Sequence, residues 1–246
     1  MRILDMHTWL GGGVLGSRPA NRAAVAQALK DRRVCASVLL AAHARHIDPL
    51  AGNRILRAVL EQDSRLYGCV ITHVNRPDAS VAALRELMGA SRMVAMAIAA
   101  PSLEAPVNRA VADEILQAFR RYTKPLYLFT PNAACVAAAS EIARAYPMLK
   151  VVFVGMGGYD WRSAVAAAHQ LTNVYLETSG TLHVSKLRVA VESLGPHRIV
   201  FGSGAPHVDA AAAAALVESS GLSQDVQARI FWDNAARLVE VQPANE

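Results

Sequence analysis

Short apolar runs alternate with alanine-rich amphipathic stretches along the whole chain. The runs are Arg2–His7, Val34–Ala41, Leu66–Val74, Met93–Ala99, Pro125–Phe129, Val151–Val154, Val174–Glu177 and Ile199–Gly202. They are short, rich in valine and isoleucine, and apolar on both faces, as strands buried in a parallel sheet are. Between them the pattern predicts helices over Arg22–Lys30, Asn53–Gln62, Ser80–Met88, Asn108–Arg120, Ala133–Ala145, Trp161–Gln170, Ser185–Ser193 and Ala210–Ser219, with a last one over Ser223–Val239. Ser80, Asn132 and Ser223 stand where N-caps belong, and Pro147, Pro196 and Gly221 where helices stop. Eight strand–helix alternations without a long linker predict a single (β/α)8 barrel domain over residues 1–246. A doubly wound open sheet is the competing arrangement, and the strand count favours the barrel.

Composition narrows the class. A chain of 246 residues fits the roughly 250 typical of one such barrel. Hydrophobic residues at 53% and charged residues at 18% supply a large core and exclude disorder. No apolar run approaches the roughly 18 residues that span a bilayer. Met1-Arg2-Ile3-Leu4-Asp5 reads as the start of a strand rather than a secretory leader. Cys35, Cys69 and Cys135 have no metal-site spacing, and reduced thiols in a cytoplasm are the expectation. The formal charge is +5, but Arg18, Arg22, Arg32, Arg33, Arg120, Arg121, Arg188 and Arg198 are dispersed. Without a basic stripe interleaved with aromatics, neither nucleic acid nor a membrane is expected as a partner.

In such a barrel, chemistry gathers where the strands end. The first strand carries Asp5, His7 and Trp9, two apart and so on one face. His43, Arg45 and His46 follow the second strand, and His73 and Asn75 end the third. Phe129-Thr130 end the fifth, Gly155-Met156-Gly157-Gly158 the sixth and Glu177-Thr178-Ser179 the seventh. Gly202-Ser203-Gly204-Ala205-Pro206-His207 end the eighth.

These pieces, in this order, resemble the amidohydrolase superfamily, in its amidohydrolase-related branch of small barrel hydrolases and decarboxylases. The resemblance rests on Asp5-Met6-His7-Thr8-Trp9, Pro125 to Thr130, Val152 to Gly158, Val174 to Gly180, Arg198 to Pro206 and the closing Asn234-Ala235-Ala236-Arg237-Leu238. It implies a His-x-His pair on the first strand and histidines ending the fifth and sixth as metal ligands. It also implies an aspartate ending the eighth as ligand and general base. Here His7 is kept, while Trp9, Phe129, Gly155 and Gly204 stand at the other four positions. A catalytic zinc needs about three protein ligands, and neither indole, phenyl nor glycine offers one. The expectation is therefore no metal, with one Zn or Mn at a rebuilt site as the alternative. Asp209, a few residues late, is the one carboxylate that could reopen the question.

Other readings stay open. His7, His43, His46 and His73 follow adjacent strands and could converge, or serve as ordinary loop and strand-capping residues. His7 or His73 working with Glu177 would make a metal-independent acid/base pair, provided they reach a substrate. Trp9 and Phe129 either fill the mouth or line an apolar pocket for a small molecule. Gly11 to Gly16 matches Gly-x-Gly-x-x-Gly, yet the second strand ends in alanines rather than the acidic residue a dinucleotide site requires. Arg45, Arg162, Arg188 and His207 could seat an anion, although such charges are usually solvated. The leading expectation is a non-catalytic homologue, a homo- or hetero-oligomer that binds or stabilises an intact family member. The alternatives are an active hydrolase or decarboxylase on a small carbonyl compound using His7, His73 and Glu177, and a small-molecule binding protein.

Overall fold

Strands apolar on both faces must be covered on both, and parallel strands need helical crossovers to supply that cover. The computed structural model describes residues 1–11, 33–102, 104–180 and 183–241. Its strands are β1 (Ile3–Leu10), β2 (Val34–Ala41), β3 (Leu66–His73), β4 (Met93–Ala99), β5 (Leu126–Phe129), β6 (Val151–Val154), β7 (Val174–Glu177) and β8 (Ile199–Val200). All are parallel and lie in sequence order. Between the last strand and the first, the Met6 amide donates to Phe201, the Gly204 amide to His7 and the Trp9 amide to Ala205. These bonds bring the two ends of the sheet together, so the barrel is nearly closed.

The outer layer follows the sequence, with local departures. The helices are α1 (Ala42–His46), α2 (Pro49–Leu60), α3 (Pro77–Leu87), α4 (Arg109–Phe119), α5 (Ala133–Ala145), α6 (Trp161–Gln170), α7 (Val184–Leu194), α8 (Ala210–Glu218), α9 (Gln224–Ala228) and α10 (Asn234–Val239). Asn132 caps α5 and Ser223 caps α9 as expected. Ser80 does not cap: it lies inside α3, where its hydroxyl accepts from the His73 amide and donates to the His73 carbonyl. The final helix is interrupted by a π turn at Arg229–Asp233, whose wider path buries Ile230, Phe231 and Trp232 together. The expected helix Arg22–Lys30 and the glycine run beyond Gly11 lie outside the described residues. Among the described residues no helix is long and apolar enough to cross a membrane.

The core is continuous between barrel and helices. Met6, Tyr127, Phe153, Phe201, Phe119, Trp161 and Phe231 are all buried in it, and Phe201 packs on Phe231 at 5.1 Å between ring centroids. Each large apolar side chain removed from water contributes roughly 1.5–3 kcal/mol, which leaves the strand ends as the place where polar groups can be held at a cost.

Candidate functional site: the barrel mouth

Asp5, His7 and Trp9 on β1 are all buried, and the strand's register against β2 shifts between Asp5 and Thr8. Asp5 is held by three donors. Its Oδ1 accepts from the amides of His7 (3.1 Å) and Ser203 (2.9 Å), and its Oδ2 accepts from the Ser203 hydroxyl at 2.6 Å. Burial raises the Asp5 pKa, and the bonds from Ser203 and His7 with the charge of His7 only partly oppose it.

Glu177, at the end of β7, is fully buried and also held by three donors. The Ser179 amide donates to Oε1 at 2.7 Å, while the Ser179 hydroxyl at 2.6 Å and the Gly155 amide at 3.0 Å donate to Oε2. Burial alone would raise its pKa, but hydrogen bonding and charge from His7, with the Ser179 bonds, outweigh that and hold it below the usual range. His7 joins this group through Nδ1, which lies 3.1 Å from Ser179 Oγ and 3.6 Å from Glu177 Oε2. His7 and Glu177 are therefore neighbours in the fold. A Cβ on Gly202 would lie 1.9 Å from Glu177 Oε1, so only glycine lets this carboxylate sit where it does.

The other side of the His7 ring faces aromatic walls. It meets Trp9 edge-on at 5.5 Å between centroids and Phe129 at 5.9 Å, and these two rings stack on each other at 5.8 Å. The Arg45 guanidinium, on the one-turn helix α1, lies 4.6 Å over Phe129 and 5.9 Å from Trp9. Arg45 is only 4% exposed, which corrects its reading as a solvated surface charge. Burial draws its pKa down to about 10. Two buried side-chain nitrogens among the described residues have no hydrogen-bond partner, His7 Nε2 and Arg45 Nη1. Both belong to groups packed on the same pair of rings.

Three more imidazoles lie around the mouth, His73 half-buried and His46 and His207 exposed. His207 meets Trp9 edge-on at 6.4 Å. His46 is lowered in pKa by burial and then by the charges of Arg45, His73 and His207, so these four groups share one neighbourhood. His73, half-buried, is lowered by burial and by Arg45 and Arg76. Its Nδ1 also accepts from the Asn75 amide at 3.1 Å, the strand-capping role expected of it.

The remaining expected residues fall elsewhere. His43 lies on α1 and is half-buried. Asp209 caps α8, accepting from the amides of Ala211 and Ala212. Arg162 and Arg188 are exposed, and Arg162 stacks on Trp161 instead. Gly155 and Gly204 have φ of 82° and 72°, a region that L side chains rarely adopt. A Cβ on Gly155 would meet nothing within 4 Å, and one on Gly204 would lie 3.9 Å from His7 Nδ1. Among the described residues no group of three His, Cys, Asp or Glu is arranged to hold a metal ion.

Lys186, on α7, was not singled out by any sequence pattern. It is fully buried beneath this group, and its Nζ donates to the carbonyls of Thr178 at 2.7 Å and Ser179 at 3.0 Å. Burial pulls its pKa down to about 8, with the Glu177 carboxylate opposing. It pins the backbone that presents Ser179 to His7.

Comparison with known proteins places the fold. A 2,6-dihydroxybenzoate decarboxylase from Rhizobium has a similar structure, with a TM-score of 0.77 and 14% identity over 98% of this chain and 99% of that one. So does a dihydroxybenzoic acid decarboxylase from Polaromonas with bound manganese (TM-score 0.78, 15% identity, 98% and 97% covered). A zinc-bound amidohydrolase from Burkholderia multivorans aligns at a TM-score of 0.76 and 16% identity, covering 98% of this chain and 100% of that one. At such identities the likeness establishes the fold alone. No curated protein matches the sequence. The amidohydrolase family model matches residues 5–241, nearly the whole described barrel, and the chain belongs to that family.

Proposed function

We propose that this chain is a non-catalytic member of its family, a binding subunit whose mouth no longer suits a divalent metal. The observation that carries the reading is the Trp9–Phe129 stack with Arg45 above it. Family relatives with solved structures hold manganese or zinc, and on the family pattern Trp9 and Phe129 stand at two ligand positions. The residues here do not fit such an ion. His7 Nε2 is one free donor atom, the two rings beside it offer none, and Gly155 and Gly204 have no side chain. A guanidinium lies over the same two rings, and it would repel a divalent cation. A metal-activated water, the agent of hydrolysis in such sites, would have no ligand set to hold it.

In its most concrete form the chain is a subunit of a homo- or hetero-oligomer that binds or stabilises a catalytically intact relative, in the cytoplasm. Metal content by elemental mass spectrometry tests the core of this reading, on untagged protein dialysed against dilute zinc or manganese. Bound metal below roughly a tenth of an equivalent is expected, because one imidazole does not make a structural or catalytic site. Near one equivalent would overturn the reading. A monomer in native extract, with no relative co-purifying, would remove the partner role.

One observation favours a second reading. His7 Nδ1 lies within reach of Ser179 and Glu177, the orientation a carboxylate imposes on a general-base histidine. A metal-independent hydrolase or decarboxylase would depend on it. Turnover of a small carbonyl compound that His7→Ala abolishes would establish this reading.

A further inference from the structure

The mouth lies at the C-terminal ends of the strands. At the opposite end of the barrel two clefts open between the loops that lead into the strands. The larger, of about 450 Å³, lies between the loop before β5 and the loop before β6. The smaller, of about 280 Å³, is lined by Tyr67 and Val94 near the starts of β3 and β4 and by Leu238 and Val241 at the end of α10. Thr123, Lys124 and Glu240 line both, so the two clefts meet there. The larger one alone has the volume of a small-molecule site.

Apolar and cationic groups line the larger cleft together. Its apolar part comes from Tyr146, Pro147, Met148 and Leu149, and Met148 is 93% exposed. An apolar surface left in water and rimmed by charge marks a binding groove. Three cations, Arg120, Lys124 and Lys150, line the cleft with one carboxylate, Glu240. The Lys124 ammonium is already engaged, donating to the carbonyls of Met88 and Met93, and Glu240 is the carboxylate that acts on its charge. Asp113, beyond the lining, accepts from the Tyr146 hydroxyl at 2.8 Å. Arg120 and Lys150 make no ion pair among the described residues. Two unspent cations therefore face an aliphatic surface in one concave place.

We infer that this cleft binds an amphipathic anion, an aliphatic chain headed by a carboxylate, with the chain on Met148 and Pro147 and the head at Arg120 and Lys150. The guanidinium fork matches a carboxylate, and an unbranched thioether adapts to a flexible chain as a rigid aromatic wall does not. Barrel chemistry belongs to the other end of the strands, so the site is one of binding rather than turnover. It stands whether or not the mouth holds a metal.

Isothermal titration of the whole chain tests this with sodium octanoate, sodium acetate (the head alone) and octan-1-ol (the tail alone). The variants are Met148→Asp and the double substitution Arg120→Gln with Lys150→Gln. The expected result is one octanoate per chain, with acetate and octan-1-ol weaker by at least about tenfold. The double variant should weaken octanoate about 3- to 30-fold, the range for two partly exposed ion pairs, and Met148→Asp should weaken it as well. Octanoate should also raise the Tm of wild type more than that of either variant. No binding of octanoate by wild type overturns the site, as does equal binding by wild type and the double variant. Octan-1-ol bound as tightly as octanoate shows an apolar groove without an anion site and overturns it too. Octanoate binding lost in Arg45→Met but kept in the double variant places the guest at the mouth instead. Self-association in sedimentation that octanoate leaves unchanged and Met148→Asp abolishes makes a second copy the occupant and likewise overturns the proposal.

Discussion

Replacing Arg45 by methionine should make the protein more stable. The guanidinium is 4% exposed and one of its nitrogens has no partner. Burial depresses its pKa to about 10, some two and a half decades below a free guanidinium. At about 1.4 kcal/mol per decade, holding the charge there costs about 3 kcal/mol. The contacts with Phe129 and Trp9 return part of this, roughly 1–2 kcal/mol for a desolvated cation over an aromatic face. Methionine fills similar space along the same stem without the charge or the orphaned donor. The net gain is about 1–2 kcal/mol, or a rise in Tm of about 2–8 °C for a chain of this size. Differential scanning calorimetry near neutral pH, on ligand-free protein, reads it directly. A lower Tm for Arg45→Met would refute the reasoning, because it would mean that the guanidinium has a stabilising partner.

Two further outcomes follow from buried charge nearby. Gly202→Ala should destabilise by about 2–4 kcal/mol in urea unfolding, since its Cβ would displace Glu177 from its hydrogen bonds. Combined with Glu177→Ala the loss should be less than additive by at least about 1 kcal/mol, and strict additivity would show that the two positions do not meet. For Lys186 the folded pKa, about 8, lies below that of an ordinary lysine, so between about pH 8 and about pH 10.5 the unfolded chain binds more protons. Stability of wild type relative to Lys186→Met should therefore rise by about 3 kcal/mol across that window, after subtracting the opposite trend from buried Cys69 and Tyr127, which both chains share. A flat difference would mean that Lys186 is solvated.

The sequence by itself determined the barrel. Four strands, Val34–Ala41, Met93–Ala99, Val151–Val154 and Val174–Glu177, begin and end where the apolar runs do, because a strand covered on both faces leaves its mark in every position it buries. Helices Ala133–Ala145 and Trp161–Gln170 are equally legible from period and breakers. One-turn α1 was not legible, since five residues are too few to show a helical period, and with it went the burial of Arg45. Periodicity tells which face of an element is apolar; it does not tell which distant elements close over a charge. Arg45 on Phe129 and Glu177 on the Gly155 amide are contacts between segments far apart in the chain. They exist because barrel closure draws eight strand ends into one small ring, where water is excluded and each polar group must find its partner or be left for a ligand. That selection is made by the tertiary structure alone.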